Sequence, residues 1–281
     1  MPRFLLTNDD GISAEGIQTL ERAANCFGET TVVAPDQQHS GCSHQITDKR
    51  PIRVTTHGQG RYSLDAYPAD CVRLAHLSLA PDCDWVLSGV NHGGNLGGGL
   101  FLSGAAAAVR EAVILGRKAI AFSQYRRSRK IENDWNWTAR QLERVLPALL
   151  DAELEPGHFW NVNFPHPETA HDPDWVFCLP ERQPLQLKYQ LTQDLHHYDG
   201  NYQERPRTPG GDVDICFGGR LAISKLLGFG FSPVSPIPVE SGSRRESQQE
   251  TIEQVATESQ KFADCATHSI PRIGYDSFRG R

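Results

Sequence analysis

Short apolar runs alternate with helix-length stretches through the first two thirds of the chain, and this alternation limits the fold more than any other feature. Arg3–Leu6, Thr30–Ala34, Trp85–Leu87, Ala119–Phe122 and Trp160–Phe164 read as strands, several of them closed by Pro, Gly or a polar turn. Glu15–Ala24, Ala69–Leu79 and Trp135–Leu150 place apolar residues at helical spacing, and Ala105–Leu115 is an unbroken alanine-rich run. Strands separated by helices pair in parallel, because each helix carries the chain back across the sheet. The expected fold class is therefore α/β, a three-layer sandwich around a mostly parallel sheet. Such sheets bind ligands beyond the carboxyl ends of their strands. The residues that follow Leu6, Ala34 and Leu87 are thus the first candidates for a site.

The remainder of the chain has a different texture. Pro165 to about Gly211 is rich in Pro, His, Asp and Gln and reads as long loops or an extended C-terminal arm, before Arg220–Leu227 returns as a strand. Ser232–Pro238 has the composition of a linker. Beyond it, Ser243-Arg244-Arg245-Glu246 fits a capping box ahead of a thin apolar stripe at Ile252, Val255 and Phe262. We therefore expect one domain over residues 1–231, with a core over about 1–165 and the arm and return strand over about 166–231. Residues 232–281 are expected to form a linker and a poorly ordered or loosely helical tail.

Composition excludes several functions. With 28 Lys and Arg against 34 Asp and Glu, the formal net charge of −6 leaves no basic excess for a nucleic-acid duplex. No apolar run reaches the ~18–20 residues of a membrane helix. The opening Met1–Leu6 turns polar at Thr7, too early for a signal peptide. The seven cysteines are odd in number and lack a C-x-x-C pair, so they read as reduced thiols of a cytoplasmic protein.

The three strand ends carry Thr7-Asn8-Asp9-Asp10-Gly11, Asp36-Gln37-Gln38-His39-Ser40-Gly41, and Ser88-Gly89-Val90-Asn91-His92-Gly93-Gly94-Asn95. Adjacent Asp9 and Asp10 repel each other unless a cation lies between them; alone they also fit a solvated turn ended by Gly11. Asp9, Asp10, a serine hydroxyl and an asparagine carbonyl would make an all-oxygen set, which suits Mg²⁺ or Mn²⁺ better than Zn²⁺. Ser103-Gly104 precedes the alanine-rich helix, whose N–H groups and positive dipole end are expected to face a phosphate. His39, His44 and His92 read as exposed loop histidines, with protonation of a leaving oxygen as the alternative. Arg126-Arg127-Ser128-Arg129-Lys130 reads as a solvated surface run, with attraction of a polyanion as the alternative.

Leu5-Leu6-Thr7-Asn8-Asp9-Asp10-Gly11, Val32–Asp36 with Ser40-Gly41, Pro68-Ala69-Asp70-Cys71-Val72, and Ser88–Asn91 through Asn95-Leu96-Gly97 resemble the SurE family in order and spacing. Asn161-Val162-Asn163-Phe164-Pro165 resembles a later family element, and Asp212–Leu226 matches weakly. The resemblance implies a Rossmann-like core and a homodimer or tetramer built through C-terminal arms. It implies a metal-dependent 5'-nucleotidase, an acid-phosphatase-like hydrolase of nucleoside 5'-monophosphates, with 3'-monophosphates as a further substrate. The family's metal ligands fall on Asp9, Asp10, Ser40 and Asn91, with Asp9 and Asp10 also catalytic. Its substrate contacts fall on Gly41, Asn95, Ser103 and Gly104. Only the resemblance selects Ser40 over Ser43 and Asn91 over Asn95. One divalent ion, Mg²⁺ or Mn²⁺ with Co²⁺ as a substitute, is the implied cofactor.

The rim departs from the family pattern. Gly98 and Gly99 stand where two acidic residues are usual, Leu102 where Tyr is usual, Ala105 where Thr is usual and Tyr67 where Thr is usual. These changes admit two alternatives: a weak or inactive member that binds metal and nucleotide, or a phosphatase for another ester. A haloacid-dehalogenase-type enzyme is disfavoured, because its Asp-x-Asp spacing is absent after the first strand.

Overall fold

The computed structural model describes residues 1–128, 130–167 and 172–229. Five strands form the parallel centre of a sheet: β1 (Arg3–Thr7), β2 (Glu29–Pro35), β5 (Trp85–His92), β6 (Lys118–Gln124) and β7 (His158–Phe164). A hairpin of β3 (Val54–Gly58) and β4 (Arg61–Leu64) extends one edge, and β11 (Leu221–Leu227) with β8 (Trp175–Phe177) the other. The order is β3-β4-β2-β1-β5-β6-β7-β11-β8, antiparallel only at β3–β4 and β7–β11. The expected α/β class with a mostly parallel sheet is the one observed.

Helices α1 (Glu15–Ala24) and α4 (Trp135–Asp151) cover one face, and α2 (Pro68–Leu74) and α3 (Gly104–Ile114) the other. Alternation along β1 shows how. Phe4 and Leu6 enter the cluster with Ile17, Leu20, Leu142 and Leu146, while Leu5 enters the cluster with Val33, Val72 and Val109. Both faces of the strand are dry, so its sequence is a continuous apolar run. In α3 the small side chains Ala105–Ala108 let the helix lie close on the sheet, and Ser103 caps it by accepting from the Ala106 N–H at 3.0 Å.

The chain moves outward from β1 to β2, then crosses to the other side of β1 for β5. A crevice opens where strand order reverses in this way. Beside it, β5 is longer than the expected Trp85–Leu87: it runs to His92, pairing Asn91 with Ser123 and His92 with Gln124 after a register shift beyond Ser88. The shift passes through Gly89, at φ +136°, where a Cβ would lie 2.3 Å from the Phe122 carbonyl oxygen. The polar end of this strand reads as loop in sequence, yet the ladder to β6 continues through it.

The arm region holds a hairpin, β9 (Tyr189–Thr192) and β10 (Leu195–Tyr198), exposed along its whole length. A short helix, α5 (Asp212–Phe217), follows, between the stretch expected as loops and the return strand. The expected Ala69–Leu79 helix divides into α2 and one π-helical turn at Ala75–Leu79. The linker at Ser232–Pro238 and the helix expected after Ser243 lie outside the described residues. No helix among the described residues is long and apolar enough to cross a membrane.

Candidate active site

The turn after β1 is built by Asn8, whose amide donates to the Gly11 carbonyl at 2.9 Å and accepts from the Gly11 N–H at 3.1 Å. This side-chain turn leaves both following carboxylates available. Asp9 is 3% exposed. Its Oδ2 accepts from the Gly104 N–H at 3.1 Å, but its buried Oδ1 has no hydrogen-bond partner. Burial, then the neighbouring Asp10 charge, pushes the Asp9 carboxyl up to about 7, against the backbone N–H groups at the start of α3. Asp10 accepts from the His92 N–H at 3.0 Å and from Gln38 at 3.3 Å. Gln38 also donates to the Ser40 hydroxyl at 2.7 Å, tying the second strand-end loop to the first.

A cleft of about 640 Å³ opens on these groups and takes in Asp9, Ser40, Gly41, Asn91, Asn95 and Ser103. Asp10 and Gly104 support it from outside its lining. Ser43 is not part of this lining, and its hydroxyl donates to the Phe101 carbonyl at 2.8 Å. Asn91 donates its amide N–H to the Gly93 carbonyl at 2.7 Å, which leaves Oδ1 as its free polar atom. The orphaned Asp9 oxygen, with Asp10, Ser40 and Asn91 beside it, fits a hard cation. Among the described residues no group of three or more His, Cys, Asp or Glu could hold a metal ion, so an N- or S-ligand zinc site is absent there.

The helix start differs from expectation. The Gly104 N–H goes to Asp9 and the Ala106 N–H to Ser103, so these first donors of α3 serve a site carboxylate and the helix's own cap. A Cβ at Gly104 would lie 2.7 Å from the Cys42 sulfur and 2.8 Å from the Asp9 Cβ, so only glycine allows this approach. Burial, then the Asp9 charge, pushes the Cys42 thiol up to about 11, which keeps it a protonated packing group.

Asn95 is positioned by β7. Asn161 and Asn163 each donate to the Asn95 carbonyl at 3.1 Å, and Asn163 accepts from the Asn95 N–H at 2.8 Å. Two buried asparagines at alternate positions of one strand were the sequence signal for this role. None of the three loop histidines is a free surface group. His39 packs on the Tyr67 ring at 4.9 Å, His44 bonds Glu111 at 2.8 Å, and His92 packs on Trp135 at 4.8 Å and lines the cleft. Arg126 and Arg127, expected on a solvated surface, line the outer cleft, as do Tyr125, Tyr198 and Tyr202, which sequence reasoning missed. Gly98 and Gly99 lie beneath the arm: Cβ atoms there would stand 3.4 Å from Leu185 and 3.4 Å from an Arg205 guanidinium nitrogen. A larger concavity of about 850 Å³, lined by Trp160, Phe177, Leu179 and Ile223, contains none of the strand-end oxygens.

A doubly wound sheet with paired carboxylates, a hydroxyl and an amide at its switch point defines an α/β protein with an oxygen-rich strand-end cleft. The family model described as Survival protein SurE matches residues 4–183. A provisionally named 5'-nucleotidase of Synechocystis sp. PCC 6803 is 46% identical over 224 residues, 79% of this chain and 98% of the relative. The 5'-nucleotidase SurE of Pelobacter propionicus is 41% identical over 163 residues, 58% of this chain and 65% of the relative. The crystal structure of the SurE protein from Aquifex aeolicus superimposes with a TM-score of 0.73 at 24% identity, covering 91% of this chain and all of that one. The chain belongs to the SurE family.

Proposed function

We propose that this protein is a metal-dependent phosphomonoester hydrolase that releases phosphate from nucleoside 5'-monophosphates, and from 3'-monophosphates as a second substrate class. The buried Asp9 oxygen without a partner carries the reading, because it is an unsatisfied acceptor in the cleft that a cation would satisfy. The names of the Synechocystis and Pelobacter relatives support the nucleotide as substrate. Asp9, Asp10, Ser40 and Asn91 would hold one divalent ion, Mg²⁺ or Mn²⁺. When bound, such an ion supplies positive charge for the phosphoryl oxygens and an acidified water.

The protein's own groups do the rest. Asp10, tied to the His92 N–H and to Gln38, is fixed in orientation before substrate arrives. The Ser103 hydroxyl accepts from Ala106, so its proton remains free to donate to a phosphoryl oxygen. Asn95 bonds the Ser123 hydroxyl at 2.9 Å, and that hydroxyl can donate or accept. Its amide can therefore turn an N–H toward the cleft without losing the bond. Gly41, at φ +72° with open space around it, lets a phosphate approach the backbone. Donors placed around the developing charge stabilise the transition state for in-line attack on phosphorus. Water adds to phosphorus as the P–O ester bond breaks, and a proton from that water ends on the ester oxygen, so the nucleoside leaves as its alcohol. Phosphate release should be measured from a panel of 5'- and 3'-nucleoside monophosphates with Mg²⁺, Mn²⁺, Co²⁺ or excess chelator. Metal-supported release from nucleotides is expected; no release from any of them with any ion would reject the proposal.

A further inference from the structure

Asn95 and Ser103, the two side chains placed on the phosphate side, belong to one short segment that turns through a run of glycines, Gly97-Gly98-Gly99. Glycines cost more entropy to order than other residues and offer no side chain by which to hold them. Strand β7 holds the Asn95 end through Asn161 and Asn163. Ser43 holds the Ser103 end: its N–H donates to the Leu102 carbonyl at 3.1 Å and its hydroxyl to the Phe101 carbonyl at 2.8 Å. The middle is held from far along the chain. The Gly97 N–H donates to Asp212 Oδ2 at 2.8 Å, across 115 positions, and the Glu181 N–H donates to Oδ1 of the same carboxylate, also at 2.8 Å. Asp212 is 1% exposed.

An aspartate in the first turn of a helix ordinarily serves the N–H groups of its own helix. Asp212 opens α5, yet each of its oxygens takes an N–H from outside that helix. Buried bonds of this length between a charged acceptor and backbone donors are of the strong kind. The surrounding contacts agree. Leu96 packs with Val213, Ile215 and Cys216 of α5, and a Cβ at Gly97, at φ +48°, would lie 2.9 Å from the Glu181 Cβ. Glu181 is itself fixed, since its carboxylate accepts from the Arg182 and Gln183 N–H groups at 2.8 and 2.9 Å and from the Thr208 hydroxyl at 2.8 Å. We propose that Asp212 is a positioning residue for phosphate release: by joining Gly97 to Glu181 it sets where the Asn95 and Ser103 side chains meet the phosphoryl group. The proposal rests on the nucleotidase reading above. It adds a residue beyond position 183, where the family match ends.

Asp212→Asn keeps the size of the side chain but leaves one acceptor oxygen for two N–H donors, with its own amide N–H₂ facing the second. In the full-length variant, amide hydrogen exchange read by mass spectrometry should quicken across residues 95–103. It should keep the wild-type rate over residues 8–11, the turn that carries Asp9 and Asp10. With Mn²⁺, kcat/KM for AMP should fall about 10- to 100-fold, while calorimetry gives a Mn²⁺ Kd within about threefold of the wild type. Asp214→Asn is the matched control, because Asp214 lies two positions on in α5 and its carboxylate accepts from the Gly210 N–H at 3.0 Å. It should leave both the exchange of 95–103 and kcat/KM near the wild type. Equal losses in the two variants, or a Mn²⁺ affinity that falls with the activity, would show a structural role only, and unmoved exchange or unmoved kcat/KM would show no role; each overturns the proposal. If Asp212→Asn does not fold, Asp212→Ser, which keeps one acceptor at the helix start, is read in the same way. If the wild type releases no phosphate from AMP, the nucleotidase reading fails by itself, and calorimetry with inorganic phosphate and Mn²⁺ decides the role of Asp212. Weaker phosphate binding by Asp212→Asn, with faster exchange across 95–103, supports it; equal affinities, or no binding by either protein, overturn it.

Discussion

At the scale of single residues, Asp9 stores the conflict on which the site depends. Its carboxylate is buried beside Asp10, with one oxygen bonded to the start of α3 and the other unpartnered. A buried charge without a partner costs stability, and a bound cation removes that cost. Asp9→Asn should therefore raise the thermal midpoint of the chelator-treated protein by several degrees. The same variant should lose the further stabilisation that Mn²⁺ gives the wild type. Differential scanning fluorimetry with and without Mn²⁺ checks both, and an unchanged metal response would remove Asp9 from the ligand set. Much at this scale was legible in the chain. The paired aspartates after an apolar strand announced a charge problem, and the glycines around Asn91 announced close backbone approach. That Ser40 lines the cleft while Ser43 turns its hydroxyl to Phe101, 58 positions away, was not legible from spacing.

Among the elements, the loop after β2 is held to α3 by Glu111. This residue is 2% exposed and accepts from Arg73 at 2.6 Å and bonds His44 at 2.8 Å. Burial pushes its carboxyl up, but the bonds from His44 and Arg73 outweigh burial and hold it below its ordinary value of 4.5. A depressed carboxyl stabilises the fold above its unfolded value, and the contribution disappears as pH falls through the folded value. Glu111→Gln should cost about 1–3 kcal/mol at pH 7, because it breaks a buried charge pair whose partners are partly solvated. The gap between the two proteins should close progressively below about pH 4.5. Urea unfolding across pH measures it, and a gap that does not narrow at all on acidification would show that the stabilisation is packing, not charge. Central elements were readable because β1, β2 and β6 are buried on both faces and helices α1 and α4 on one. The β3–β4 hairpin and α5 were not: β3 is exposed at every position and α5 has six residues, so neither leaves a hydrophobic period to detect.

At the scale of the whole molecule, the chain divides between a core that carries the chemistry and an arm that closes the cleft. The family match ends at residue 183, short of the tail beyond 231. Removing residues 232–281 should leave phosphate release within about twofold of the full chain, since the Pro-rich stretch that begins there has the composition of a linker. Turnover of the truncated protein, with its thermal midpoint as the control for folding, checks this. A large loss in a folded truncate would place the tail in the site.

The central claim is that a cation held by Asp9, Asp10, Ser40 and Asn91 drives phosphate release from a nucleotide. Its most direct test is a titration of Mn²⁺ into metal-stripped protein while phosphate release from AMP is followed, in the wild type and in Asp9→Ala. No release is expected at zero metal, with a saturable rise in the wild type, reversal by excess chelator, and no comparable rise in Asp9→Ala. Full release by the stripped wild type with chelator present would contradict it.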